Sequence, residues 1–183
     1  MKPYALRIIL VYGAVAGALT IGMTILWSRM EMSSGALGLP IGYLIMLITL
    51  SLIFVGVKQY RDVEGGGVIS FARASLVGLA IATIGTLVYM LVWEGYMMAT
   101  SFSFYDSYLN DQVAELSATD LDDATRLARE AELEKFRSRF QSRAFRLFVS
   151  FTEIFPVGFV VSLLSATLLR NPGFMPAARK GGE

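Results

Sequence analysis

Cysteine and histidine are both absent from the chain. Without thiols there is no disulfide, and without thiolate or imidazole the common zinc sites are excluded. A serine hydrolase of the usual kind also loses its histidine base. Charge is scarce: Asp, Glu, Lys and Arg make up 17% of the residues, against roughly a quarter in soluble domains. With a formal net charge of +1, nothing in the electrostatics points to nucleic acid. No nucleic-acid partner, cofactor or metal is expected. Nor is enzymatic activity: the hydroxyls lack an adjacent activating group, and Asp106 in "YDS" has no second intramembrane aspartate to pair with.

What is present is apolar length. Residues 8–28, 35–57 and 74–93 contain no charged side chain, and residues 147–169 contain one, Glu153. At ~1.5 Å per helical residue, each window is long enough to cross a hydrocarbon layer ~30 Å thick. The remaining residues could not enclose four core helices of this length. The predicted fold class is therefore all-α, an integral membrane bundle of four transmembrane helices. Lys2, Arg7 and the small residues 14–18 resemble a signal peptide, but the apolar run continues to Trp27, so an uncleaved anchor is expected.

Short connections set the orientation. The N-terminus, the 58–70 connection and the tail together hold Lys2, Arg7, Lys58, Arg61, Arg170, Arg179 and Lys180, with Arg73 beside them. The connection after the first helix holds only Arg29 beside Glu31. By the positive-inside rule both termini are expected in the cytoplasm. This divides the chain into residues 1–98 with a Gly-rich cytoplasmic turn at 58–70, a periplasmic segment 99–146, a fourth membrane helix 147–170 and a tail 171–183.

The long connection has helical periodicity. Phe102, Tyr105, Leu109, Val113 and Leu116 recur at spacings of three and four. "SATDLDDA" breaks that arm, with Thr119 and Asp122 placed as a capping box. The second arm has no Gly or Pro, and its apolar stripe of Leu133, Phe136, Phe140, Ala144 and Leu147 leads into the last apolar window. The pattern predicts an extramembrane helical hairpin. Tyr105 and Leu109 would face Phe136 and Phe140, and the second arm would run unbroken from residue 120 to 169, ~75 Å.

Small residues mark the faces on which membrane helices approach one another. Gly13 and Gly17, Gly78, Ala82 and Gly85, and Gly158, Ser162 and Ala166 form such stripes, expected to join the four helices of one chain. The run Gly65, Gly66, Gly67 is followed by "VISFARAS", which lacks the Lys-Ser or Lys-Thr of a phosphate loop and the last glycine of a dinucleotide loop. It reads as a tight reversal, with Ser70 capping the next helix.

Two carboxylates stand out. Glu94 in "VWEGYMM" and Glu153 in "FTEIFPVG" lie within or beside apolar windows, and intramembrane acids are costly enough to mark candidate sites. Both fall near the outer ends of their helices, where water could reach them. Helical phase sets both away from the small-residue stripes, although Pro156 can kink the turn above Glu153. A structural or interfacial role is the expectation for both, and a cation or proton site is the alternative.

Three blocks, residues 51–78, 88–96 and 151–170, carry a family resemblance. They read "SLIFVGVKQYRDVEGGGVISFARASLVG", "VYMLVWEGY" and "FTEIFPVGFVVSLLSATLLR". The sequence resembles a bacterial membrane family catalogued as domain of unknown function 4199. The resemblance implies a four-helix inner-membrane protein of Gram-negative bacteria, and it implies no activity. It draws attention to Arg61, Asp62, Glu64, Glu94, Glu153 and Pro156. The functional expectation is a structural or assembly component, oligomeric or bound to a membrane or periplasmic protein through the hairpin. The alternative is an oligomeric channel or transporter.

Overall fold

A computed structural model describes residues 3–29, 38–119 and 121–177. Among them there are seven helices: α1 (Pro3–Arg29), α2 (Gly38–Leu50), α3 (Leu52–Glu64), α4 (Phe71–Ala99), α5 (Ser103–Ala118), α6 (Asp123–Phe140) and α7 (Arg143–Leu169). The described residues contain no strand. α2 and α3 abut at Ser51, whose amide still donates to Leu47 O, and together form one apolar span. Four spans, Tyr4–Trp27, Pro40–Glu64, Phe71–Ala99 and Arg143–Leu169, are long and apolar enough to cross a bilayer.

α4 packs on α1 along one side and on α7 along the other, and α2–α3 closes the bundle against both α1 and α7. The small-residue stripes make these contacts inside one chain. A methyl on Gly13 would lie 2.6 Å from Ile84 Cβ, and one on Gly17 would enter the Gly85 carbonyl. On the other side, a methyl on Gly78 would come within 2.9 Å of Ser162 Cβ, and one on Gly158 within 3.0 Å of Ala82 Cβ. Close approach of main chains is what replaces the hydrophobic effect as an adhesive in lipid. A hydrogen bond of 2.7 Å between the Thr20 and Thr49 hydroxyls adds a polar tie between α1 and α2.

The bundle has two dissimilar ends. At the tail end, Gly66 (φ 59°) and Gly67 (φ 90°) take left-handed backbone, which a side chain disfavours, and Ser70 Oγ accepts the Arg73 amide at 3.4 Å. The expected reversal and cap are both present. The expected turn is too long, however: α3 continues through Lys58, Arg61, Asp62 and Glu64, so only residues 65–70 form the connection. Charged side chains extend the helix because an i, i+4 bridge, Lys58 Nζ to Asp62 Oδ2 at 2.6 Å, supports the added turn.

At the other end α4 leads into the α5–α6 pair. Tyr105 stacks on Phe140 with ring centroids 3.8 Å apart and meets Phe136 at 6.2 Å. Leu109 and Met97 are buried in the same cluster, against Leu133. Two local expectations need correction. α6 is capped by Asp122 alone, whose Oδ1 accepts the Thr125 amide at 2.9 Å, while the Thr119 hydroxyl donates back to Glu115 O. And the second arm is not continuous with the last span: α6 ends at Phe140 and α7 begins at Arg143.

Candidate functional site: a buried glutamate–arginine clasp

The break between α6 and α7 has no Gly or Pro to explain it. Its cause is Arg146, in the first turn of α7. Arg146 Nη1 donates to Phe140 O at 3.0 Å and Gln141 O at 2.9 Å, carbonyls that a continuous helix would have offered to residues 144 and 145. The rest of the guanidinium turns toward α4. Its Nε donates to Glu94 Oε2 at 2.9 Å, and Nη2 donates to Glu94 Oε1, giving a bidentate pair. Arg143 Nε approaches the same Oε1 at 3.6 Å. The Phe102 ring lies 4.9 Å from the guanidinium carbon, held there by left-handed backbone at Ser101 and Phe102 (φ 51° and 61°). One side chain thereby joins α4, the α4–α5 connection, the end of α6 and the start of α7.

Burial gives the pair its weight. Glu94 is 3% exposed and Arg146 8%. The sequence had placed Glu94 in reach of water, and that expectation is overturned: Glu94 faces α7, not the surface. Both carboxylate oxygens are engaged by a cation, so Glu94 has no oxygen free of protein. Arg146 is one of several basic residues in the second arm, and nothing in its immediate neighbours singles it out. A signal was there, because the packing stripe of α7 extends backward at intervals of four from Ser162 through Gly158, Ile154 and Ser150 to Arg146, all buried.

Glu153 has a different environment. It is exposed on α7, seven residues or ~10 Å below Arg146 along the helix, and forms no hydrogen bond or ion pair among the described residues. It interacts electrostatically with the Tyr89 hydroxyl, which is hydrogen-bonded to Thr24. Tyr89 is buried between α4 and its neighbours. The two glutamates share no site. Pro156 lies within α7 without ending it, and the helix runs unbroken to Leu169.

At the tail end, Arg61 is fully buried, 0% exposed, and each of its three guanidinium nitrogens donates a hydrogen bond. Its Nε bonds Asp62 Oδ1 at 2.8 Å, and its two terminal nitrogens donate to Phe174 O and Met175 O. Gly65 and Gly67 both donate their amides to Arg61 O, at 3.0 and 3.1 Å, so the glycine run wraps the arginine's own backbone. Glu64 lies in the last turn of α3. Among the described residues no group of three acidic side chains could hold a metal ion.

Four apolar helices of bilayer-crossing length, closed by small-residue contacts and carrying a partly polar helix pair at one end, define a membrane-type all-α protein. The chain belongs to the family described as "Protein of unknown function (DUF4199)", whose model matches residues 11–171. No curated protein and no solved structure matches it.

Proposed function

We propose that the protein is a structural or assembly component of the bacterial inner membrane. In this reading the four apolar helices span the bilayer, both termini face the cytoplasm, and α5–α6 is a periplasmic hairpin that meets a second copy or another membrane or periplasmic protein. The observation that carries it is the clasp. A connection needed only to join two helices has no use for a buried ion pair that fixes its direction. Above the clasp the arms are left uncovered: no residue from 110 to 132 among those described is buried. Tyr108, Val113 and Leu127 are 46%, 41% and 66% exposed. A cleft of about 250 Å³ opens between the arms, lined by Leu109, Val113 and Leu133 with Glu130, Glu134 and Arg137 at its rim. Helices of this length are marginal alone in water, so a covering partner supplies what the single chain lacks.

The test uses the absence of native cysteine. Leu127→Cys and Val113→Cys, crosslinked in native membranes, are expected to give a dimer or one discrete adduct. Monomer alone at both positions would overturn the reading.

One observation favours a second reading. Glu153, unlike Glu94, has no cation beside it among the described residues, so the channel or transporter alternative narrows from two carboxylates to this one. Purified protein in liposomes would then conduct protons or a small cation, and Glu153→Gln would abolish the flux while Glu94→Gln would act only through stability. Equal flux from loaded and empty liposomes removes this alternative.

A further inference from the structure

The contacts around Arg61 do more than finish a helix. After α7 ends at Leu169, the chain turns through Asn171, whose side chain accepts the Gly173 amide at 2.9 Å and whose carbonyl accepts the Phe174 amide at 3.0 Å. This turn brings the Phe174 ring edge-on to Phe54 of α3, centroids 6.3 Å apart. Met175 then takes left-handed backbone (φ 48°), and the carbonyls of Phe174 and Met175 meet the two terminal nitrogens of Arg61 at 2.9 and 2.5 Å. Beyond them, Ala177 Cβ lies 3.4 Å from where a Cβ on Gly67 would stand. A segment that leaves one helix is thus pinned across the end of another, 113 residues away in the chain.

We propose that residues 171–177 form a latch across the tail end of the bundle, with Arg61 as its keeper. The Arg61 guanidinium ties the segment to α3, and it does so through main-chain carbonyls. Opening breaks two charge-assisted hydrogen bonds, whose net worth corresponds to roughly a hundredfold or more in favour of the closed form. Asp62 supports the keeper rather than the latch, because it holds Nε and is itself held by Lys58. The latch ties the segment that follows α7 to α3. It is independent of the clasp, which lies at the other end of α7.

The absence of native thiols makes the test clean. Cβ atoms 3.4 Å apart are within disulfide reach, so Gly67→Cys with Ala177→Cys should oxidise readily in lipid under mild diamide, although the left-handed backbone at residue 67 strains the first substitution. A control pair, Glu115→Cys with Ala177→Cys, should remain reduced. Adding Arg61→Gln should slow closure at least tenfold, and Arg61→Lys should give an intermediate rate because one ammonium cannot fork to two carbonyls. Hydrogen exchange on the unsubstituted protein provides a second reading that needs no variant: the Phe174 amide should be slowed at least a hundredfold relative to an unstructured peptide. A cysteine pair that closes no faster than the control, closure unaffected by Arg61→Gln, or peptide-like exchange at Phe174 would each overturn the latch.

Discussion

Breaking the clasp should be the most damaging small change at the α5–α6 end of the protein. Glu94 and Arg146 are both nearly fully buried, so solvent does not screen the loss of either partner. Removing one partner of such a pair leaves a stranded charge, at a cost of about 3–5 kcal/mol. Glu94→Leu leaves the guanidinium with only its two carbonyl acceptors. Arg146→Leu leaves the carboxylate with Arg143, which at 3.6 Å and largely exposed is a poor substitute. It also frees the carbonyls that set the α6–α7 break, each worth about 1 kcal/mol net. The double variant Glu94→Leu/Arg146→Leu has no stranded charge. It should therefore be more stable than the sum of the single losses, with a coupling of about 2 kcal/mol or more. The assay is unfolding in mixed micelles by SDS titration, followed by the fluorescence of Trp93, which packs against the Met97–Tyr105–Leu109 cluster next to Glu94. Single losses below about 1 kcal/mol, or strictly additive ones, would refute the assignment of Arg146 as a buried structural partner.

Other parts of the structure carry smaller tests. Gly17→Val drives a side chain into the Gly85 carbonyl, and overpacking of this kind should cost about 3 kcal/mol or more in the same micelle titration. The Tyr105 hydroxyl is buried without a partner among the described residues, so Tyr105→Phe should be neutral or stabilising by up to about 1 kcal/mol; a clear loss would mean that the hydroxyl is bonded. Burial pushes that hydroxyl up to about 12, so ultraviolet titration should show a late-ionising tyrosine that Tyr105→Phe removes. Hydrogen bonds from the Thr125 hydroxyl and amide hold the Asp122 carboxyl below its usual range. A depressed acid stabilises the folded form at pH values above its ordinary range and loses that contribution as pH falls through the depressed value. The first turn of α6 should therefore be stable from pH 5 to 8 and fray in acid, as amide exchange at Thr125 would show. Fraying that begins above pH 6 would contradict the cap.

Much of this fold could be read from hydropathy alone because length and apolarity are local properties. The four spans, the reversal at Gly66 and Gly67 and the Ser70 cap each depend on residues within one turn of one another. The stripes of Gly13, Gly17 and Gly85 could likewise be read, since every fourth residue shares a helix face. What escaped was interaction at a distance. Arg146 and Glu94 are 52 residues apart, and no local pattern marks them as partners. The α6–α7 break is a consequence of that pair, so a sequence rich in helix formers gave no warning of it. Arg61 was marked by the resemblance, but its acceptors escaped for the same reason: they are main-chain carbonyls of the tail, which have no side-chain signature. Asp122 escaped by a subtler route, since Thr119 offered an equally good cap three residues earlier.

The central claim is that four rods lie in lipid and the α5–α6 pair stands clear of it, held by the clasp. Hydrogen exchange measured by mass spectrometry on the protein in lipid nanodiscs tests this in one experiment. Residues 76–91 and 150–165 should remain unexchanged for hours while residues 110–119 and 121–132 exchange within minutes. Equal protection in both sets, or rapid exchange through the centres of α4 and α7, would contradict the account.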